Sequence, residues 1–231
     1  VLEENFLQAL TEEIDIIFLC NPNNPTGLLV EKPLLEKILK RCQELNILMA
    51  VDECFLDFVP SPEKYTLKEY LETYDNLFLL KAFTKRYAMA GVRLGYGLCG
   101  NKGLLEKIEG VCQPWNVSSM AQAAGLAALQ EREYVEKGRQ VTFQELAYLK
   151  EELTALGYPV YPSQANYVFF TGPADLYEKL EQKKILIRDC SNYTGLSKGY
   201  YRVAVKKHEE NQQLVRALKE IDRTKVENVI L

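Results

Sequence analysis

Short apolar, β-branched runs alternate with helical patterns through the first half of the chain, and a polar residue closes each run. Residues 14–19 (Ile-Asp-Ile-Ile-Phe-Leu) form the first run and stop at a cluster of Pro, Asn and Gly. Residues 33–46 read as a helix, with Leu34, Leu35, Ile38, Leu39, Cys42 and Leu45 on one face and Pro33 in the first turn. A second run at 47–51 ends at Asp52, and a third at 77–80 ends shortly before Lys85. A short helix is expected around 65–74, and a fourth strand at 94–99 with Gly95 and Gly97 inside it. Near-continuous apolar strands separated by helices define an α/β fold with a mixed, mostly parallel sheet covered on both faces. Ligands of such sheets bind at the carboxyl ends of the strands. Asn24, Asp52 and Lys85 each follow a strand end, so they are expected to meet in one crevice.

The second half has a different pattern. An Ala-rich helix is expected at 118–129 and a long one at 135–156, ended by Gly157 and Pro159. Strands at 166–170, 185–188 and 200–205 and helices at 173–183 and 208–221 make a compact α+β unit. Two domains are therefore expected, 1–131 and 132–231, with the boundary near residue 132.

Bulk properties narrow the function classes. A net charge of −4 with scattered basic residues gives no broad footprint for nucleic acid. The cluster Lys206-Lys207-His208 runs straight into Glu209-Glu210 and reads as a solvated helix start. The one histidine, His208, stands in a charged helical stretch, which argues against a His-based triad or a His-rich metal site. The six cysteines form no C-x-x-C pair, which suits neither zinc nor a disulfide scaffold. Most stand in apolar runs, so buried thiols in a reducing cytoplasm are expected. No apolar run is long enough to span a bilayer.

Three ordered segments carry chemistry: Asn21-Pro22-Asn23-Asn24-Pro25-Thr26-Gly27, Val51-Asp52-Glu53, and Thr84-Lys85-Arg86-Tyr87-Ala88-Met89-Ala90-Gly91-Val92-Arg93. Between them they offer an amine, a carboxylate, an amide, a hydroxyl and a guanidinium. Pyridoxal 5'-phosphate (PLP) needs this set: an amine for its aldehyde, a carboxylate for its pyridinium, donors for its ring oxygen and phosphate. Each residue also has a plainer reading. Lys85 alone is a surface lysine, Asp52 a cap, Arg93 and Arg202 structural ion pairs, Arg188-Asp189 a surface pair, and Trp115 a core or interface residue.

With the tail blocks Ile187-Arg188-Asp189-Cys190 and Tyr201-Arg202-Val203-Ala204-Val205, the chain resembles the fold-type I PLP enzymes, class I/II aminotransferases, over nearly its whole length. It looks closest to the branch holding threonine-phosphate decarboxylases and histidinol-phosphate aminotransferases. The resemblance implies a partial large domain followed by a small C-terminal α+β domain. It makes Lys85 the Schiff-base lysine and proton shuttle, Asp52 the pyridinium partner, and Asn24 the donor to the ring oxygen. Thr84 and Arg93 would hold the cofactor phosphate. Arg202 would pair with the substrate's anionic group, Arg188 with a substrate phosphate, and Asn166 would lie near the substrate. The implied substrate is a small anionic amino acid or amine phosphate. The implied assembly is a cytoplasmic homodimer using neither metal nor nucleic acid.

Two positions depart from the commoner pattern. Phe55 stands where most aminotransferases carry a tyrosine, as in decarboxylase-like members, and Ala82 replaces a common serine. Phe55, the run 113–124 and Arg188-Asp189-Cys190 favour a threonine-phosphate decarboxylase, an activity of cobalamin biosynthesis. The alternatives are a histidinol-phosphate or aromatic aminotransferase and, from another class, a non-catalytic binding domain, against which the presence of Lys85 argues. Relatives carry roughly a hundred or more residues before the Asn-Pro block. The chain is thus expected to be the C-terminal part of a longer protein whose upstream part completes the cofactor site.

Overall fold

The structure, a computed structural model, describes residues 3–229. It contains two compact units, one of residues 1–23 with 28–137 and the other of residues 24–27 with 138–231.

The first unit holds β1 (Ile16–Cys20), α1 (Lys32–Glu44), β2 (Leu48–Asp52), β3 (Leu77–Ala82), α2 (Phe83–Arg86), β4 (Gly95–Cys99), α3 (Lys102–Val111) and α4 (Ser119–Ala128). The strands lie in chain order β1-β2-β3-β4. The first three run parallel, and β4 returns antiparallel along β3. Register sets Cys20 opposite Asp52, and Asp52 opposite Leu80, so the strands end together. α1 buries Leu35, Ile38, Leu39 and Cys42 against Met49, Val51, Leu77 and Leu79. Burial of a side chain of this size contributes about 1.5–3 kcal/mol, so this interlock anchors the strand ends.

Cover on both faces was expected, but the described residues cover β1 on one face. A strand's side chains alternate, so Ile17 and Leu19 join the core under α1 while Ile16 and Phe18 point away. Phe18 is 69% exposed.

The segment 21–30 is tied by its own amides. Asn21 is buried; Val30 N–H donates to its Oδ1 at 2.9 Å, and its Nδ2 donates to the Tyr65 carbonyl at 3.3 Å. Asn23 N–H donates to the Leu28 carbonyl at 2.8 Å and closes a short loop.

The helix α5 (Arg132–Ala155) enters the second unit, which also holds β5 (Tyr167–Thr171), α6 (Leu176–Gln182), β6 (Arg188–Asp189), β7 (Tyr200–Ala204) and α7 (His208–Val229). Its sheet has the order β5-β7-β6, antiparallel throughout. Leu149 and Leu153 of α5, Val168 and Phe170 of β5 and Leu218 of α7 form its core. Tyr158 lies edge-on to Phe170 at 5.8 Å between centroids.

Several local features differ from expectation. The helix expected at 65–74 is two 3-10 turns, at Pro62–Lys64 and Lys68–Tyr70. The helix α3 was not foreseen, because Gly103 and Gly110 dilute its Leu104, Leu105, Ile108 and Val111 pattern. Asn101 starts it, accepting the Leu104 N–H at 3.0 Å. The strand expected at 185–188 is β6 at Arg188–Asp189, since Ile185 and Ile187 pack into the core without pairing. Of the thiols, Cys42 and Cys190 are buried, but Cys20 and Cys112 are exposed. Trp115, read as a core or interface residue, is 95% exposed and so is not a core residue.

Candidate active site

The site residues named from the sequence fall into two sets, one in each unit. Asp52, Thr84, Lys85 and Arg93 belong to the first unit; Asn24, Asn166, Arg188 and Arg202 belong to the second.

In the first set, β2 ends at Asp52 and β3 leads directly into α2, which carries Thr84 and Lys85. Lys85 is exposed, and its ammonium donates to Thr84 Oγ1 at 3.1 Å. The same nitrogen stands 5.2 Å from the centroid of the Phe55 ring, a cation–π contact. Asp52 Oδ1 accepts the Cys54 N–H at 2.9 Å, which turns the chain away from the strand end. Burial pushes the Cys54 thiol up to about 12, helped by a hydrogen bond to Asp52 and its charge and opposed by the charges of Lys85 and Lys81. Asp52 and Lys85 thus act on one thiol from nearby elements. Arg93 adopts a left-handed conformation with φ 58°, a strained choice for a non-glycine residue. Its Nη1 donates to the Ala90 carbonyl at 3.1 Å, and the side chain remains exposed.

Two charged residues beside this set escaped the sequence reading. Glu53 is fully buried, with Lys81 Nζ at 2.6 Å. It also accepts the Thr66 hydroxyl at 2.9 Å and the Leu67 N–H at 3.2 Å. Asp57 takes Arg86 Nη1 at 2.6 Å. A Glu inside an apolar stretch and a Lys at the end of the run 77–80 were the available signals. A cavity of about 140 Å³ lies between Asp57, Arg86, Tyr87 and Tyr96. Neither Lys85 nor Asp52 lines it, so it is a gap beside the lysine helix.

In the second set, β6 and β7 place Arg188 directly opposite Arg202. Cβ atoms so paired on one sheet face lie about 5 Å apart, and like charges there repel. Arg188 Nη2 donates to Asn192 Oδ1 at 2.9 Å, and its guanidinium lies 5.8 Å from the Tyr193 ring centroid. Arg202 Nη1 donates to Asn24 Oδ1, and its guanidinium lies 5.0 Å from the Tyr167 ring centroid. The Tyr193 hydroxyl donates to the same Asn24 oxygen at 3.3 Å. With its carbonyl so engaged, Asn24 has its amide nitrogen left to donate. Asn166 has a buried Oδ1 with no hydrogen-bond partner, an acceptor still to be satisfied. Gly27 completes this set: φ is +71°, and a Cβ there would lie 2.7 Å from Ser163 Cβ.

Among the described residues no helix is long and apolar enough to cross a membrane, and no group of three or more His, Cys, Asp or Glu is placed to hold a metal ion. The first unit's donor set fits PLP: an accessible amine, a carboxylate with one oxygen uncommitted to the backbone, a hydroxyl and an exposed guanidinium.

Residues 3–218 match the family model for aminotransferases of class I and II, and the chain belongs to that family. Its fold is that of the fold-type I PLP-dependent transferases. Among its relatives, threonine-phosphate decarboxylase of Salmonella typhimurium is 38% identical over 95% of this chain and 61% of that protein. Histidinol-phosphate aminotransferase of Methanosphaera stadtmanae is 31% identical over 94% of this chain and 59% of that protein. The crystal structure of histidinol-phosphate aminotransferase from Clostridium acetobutylicum superposes with a TM-score of 0.87 at 32% identity, covering 92% of this chain and 65% of that one. The chain therefore spans about three fifths of the length of the curated relatives it matches.

Proposed function

We propose that the protein is a PLP-dependent enzyme of the threonine-phosphate decarboxylase kind, acting on a small amino acid or amine phosphate through Lys85. The observation that carries this reading is the strand register. Asp52 lies opposite Leu80, five residues before Lys85, so a carboxylate and an accessible amine leave neighbouring parallel strands at the same sheet end. When bound, the cofactor supplies an electron sink for breaking a bond at the substrate's α-carbon.

The chain's own residues do the rest. Lys85 Nζ would anchor the cofactor, and as an ammonium it would supply the proton that takes the place of the departing carboxylate at the α-carbon. Thr84 Oγ1, already accepting from that nitrogen, orients it. Asp52, through its negative charge, would keep a proton on the ring nitrogen. Thr84 and Arg93 would grip the cofactor phosphate, and by resemblance the Asn24 amide would donate to the ring oxygen. Arg188 and Arg202 form a doubly positive patch suited to a phosphorylated substrate, and by resemblance Asn166 would lie near that substrate.

A second reading, histidinol-phosphate aminotransferase, is favoured by the likeness to the Clostridium acetobutylicum structure and uses the same residues. Phe55 and the higher identity to the decarboxylase support the first. Borohydride reduction of the intact protein with PLP should leave the cofactor on the peptide bearing Lys85, and Lys85→Ala should abolish the adduct. A reduced adduct that survives in Lys85→Ala overturns the assignment. Carbon dioxide released from threonine phosphate, set against glutamate formed from histidinol phosphate and 2-oxoglutarate, separates the two readings.

A further inference from the structure

Both arginines of the second unit are held by neutral groups. Arg188 has the Asn192 carbonyl at 2.9 Å and the face of Tyr193; Arg202 has the Asn24 carbonyl and the face of Tyr167. Neither takes a carboxylate among the described residues. Asp189, next to Arg188 in sequence, points its Oδ1 at the Ser191 N–H instead, at 2.8 Å. Carboxylate partners would orient the guanidiniums equally well but cancel their charge. Amide oxygens and ring faces orient without cancelling. The result is two aimed cations directly across a strand pair, an arrangement that costs stability until an anion lies between them.

We propose that Asn192 and Tyr193 are positioning residues for a phosphate dianion, holding Arg188 in place while leaving its charge whole; this rests on the reading of Arg188 and Arg202 as the substrate's anion grip. The segment that carries them is itself braced. Cys190 N–H donates to the Tyr200 carbonyl at 2.9 Å, Tyr193 N–H to the Cys190 carbonyl at 3.1 Å, and Leu196 N–H to the Tyr193 carbonyl at 3.0 Å. Tyr193 also reaches the partner of the second arginine through its bond to Asn24. One residue therefore touches the supports of both cations. Nothing in the residue type of Asn192 or Tyr193 announces this role; cross-strand geometry supplies it.

The test is titration of the protein, without cofactor, with inorganic phosphate by calorimetry, with the thermal midpoint recorded for each variant. Asn192→Ala should weaken phosphate binding by about threefold to tenfold, tenfold being about 1.4 kcal/mol. Asn192→Asp should weaken it further, because the new carboxylate neutralises Arg188, yet should leave the thermal midpoint equal or higher. A merely structural residue would lower the midpoint and the affinity together. Tyr193→Phe keeps the ring against Arg188 but loses the bond to Asn24, so it should weaken phosphate binding less than Tyr193→Leu, which loses both contacts and should bind at least as weakly as Asn192→Ala. Affinity should also fall as pH drops through the second ionisation of phosphate, at about 6 to 7. Unchanged affinity in both Asn192 variants, or no phosphate binding by the unsubstituted protein, overturns the proposal. Because the titration uses no cofactor, its outcome is separate from the Lys85 adduct: either can fail while the other stands.

Discussion

The buried pair Glu53–Lys81 offers a quantitative test of how the strand ends are held. The two charges are 2.6 Å apart, Glu53 fully buried and Lys81 16% exposed at its side chain. At an effective dielectric of about 20, their attraction is about 6 kcal/mol. Removing two ions from water costs several kcal/mol each, so the net contribution of the pair is small. Breaking it one-sidedly is different. Glu53→Gln retains a group for Thr66 and Leu67 but leaves an ammonium without its counter-charge. The expected loss is about 3 kcal/mol, the low end for a buried pair because Lys81 retains some access to water. Lys81→Met leaves the carboxylate with its two remaining donors and should cost about the same. The double variant should cost no more than about 3 kcal/mol, giving a coupling energy of about 3 kcal/mol. Urea unfolding followed by circular dichroism measures all four corners of the cycle. Thermal midpoints of the single variants should fall by about 6–12 °C. Additive costs, or a loss below about 1 kcal/mol for Glu53→Gln, would mean that the pair behaves as a solvated surface bridge.

Two further perturbations follow from backbone spacing and from burial. A Cβ at Gly100 would lie 1.9 Å from the Leu71 carbonyl oxygen, so Gly100→Ala should cost about 1–3 kcal/mol in urea unfolding. Gly138, in helix α5 with nothing within 4 Å of its would-be Cβ, is the control: Gly138→Ala should stabilise by about 0.5–1 kcal/mol. Burial raises the Cys42 thiol to about 11 and the Cys54 thiol to about 12 from 9.0, and burial with Asp222 raises Tyr158 from 10.0. The folded state then holds protons that the unfolded chain releases. Stability should be level below about pH 9 and fall between about pH 9 and 12, by about 1.4 kcal/mol per pH unit for each such group. A flat urea midpoint from pH 8 to 11 would refute that sign.

The sheet was legible because its three parallel strands wrote themselves as short apolar runs, each with a polar stop. Asp52, Thr84 and Lys85 were placed by those stops, and the structure sets them at the strand ends. Less legible was anything decided by tertiary pairing. Ile185 and Ile187 carry a strand's alternation but spend it on the core, so β6 begins at Arg188, three residues later than expected. The Asn192 and Tyr193 contacts to Arg188 depend on a turn that no periodicity encodes. Glu53 looked like the lesser neighbour of Asp52, yet it is the more deeply buried of the two.

β6 is two residues long and is paired only through β7. So short an edge opens at little free-energy cost compared with the strands beside the core. Arg188 therefore sits where amide hydrogens should exchange early, whereas Arg202 lies on the central strand of the same sheet. An anion bridging the two would tie the fastest-breathing edge to the slowest-breathing centre. Bound ligand would then register as slowed exchange at residues 188–189 before any change appears in the rest of the sheet.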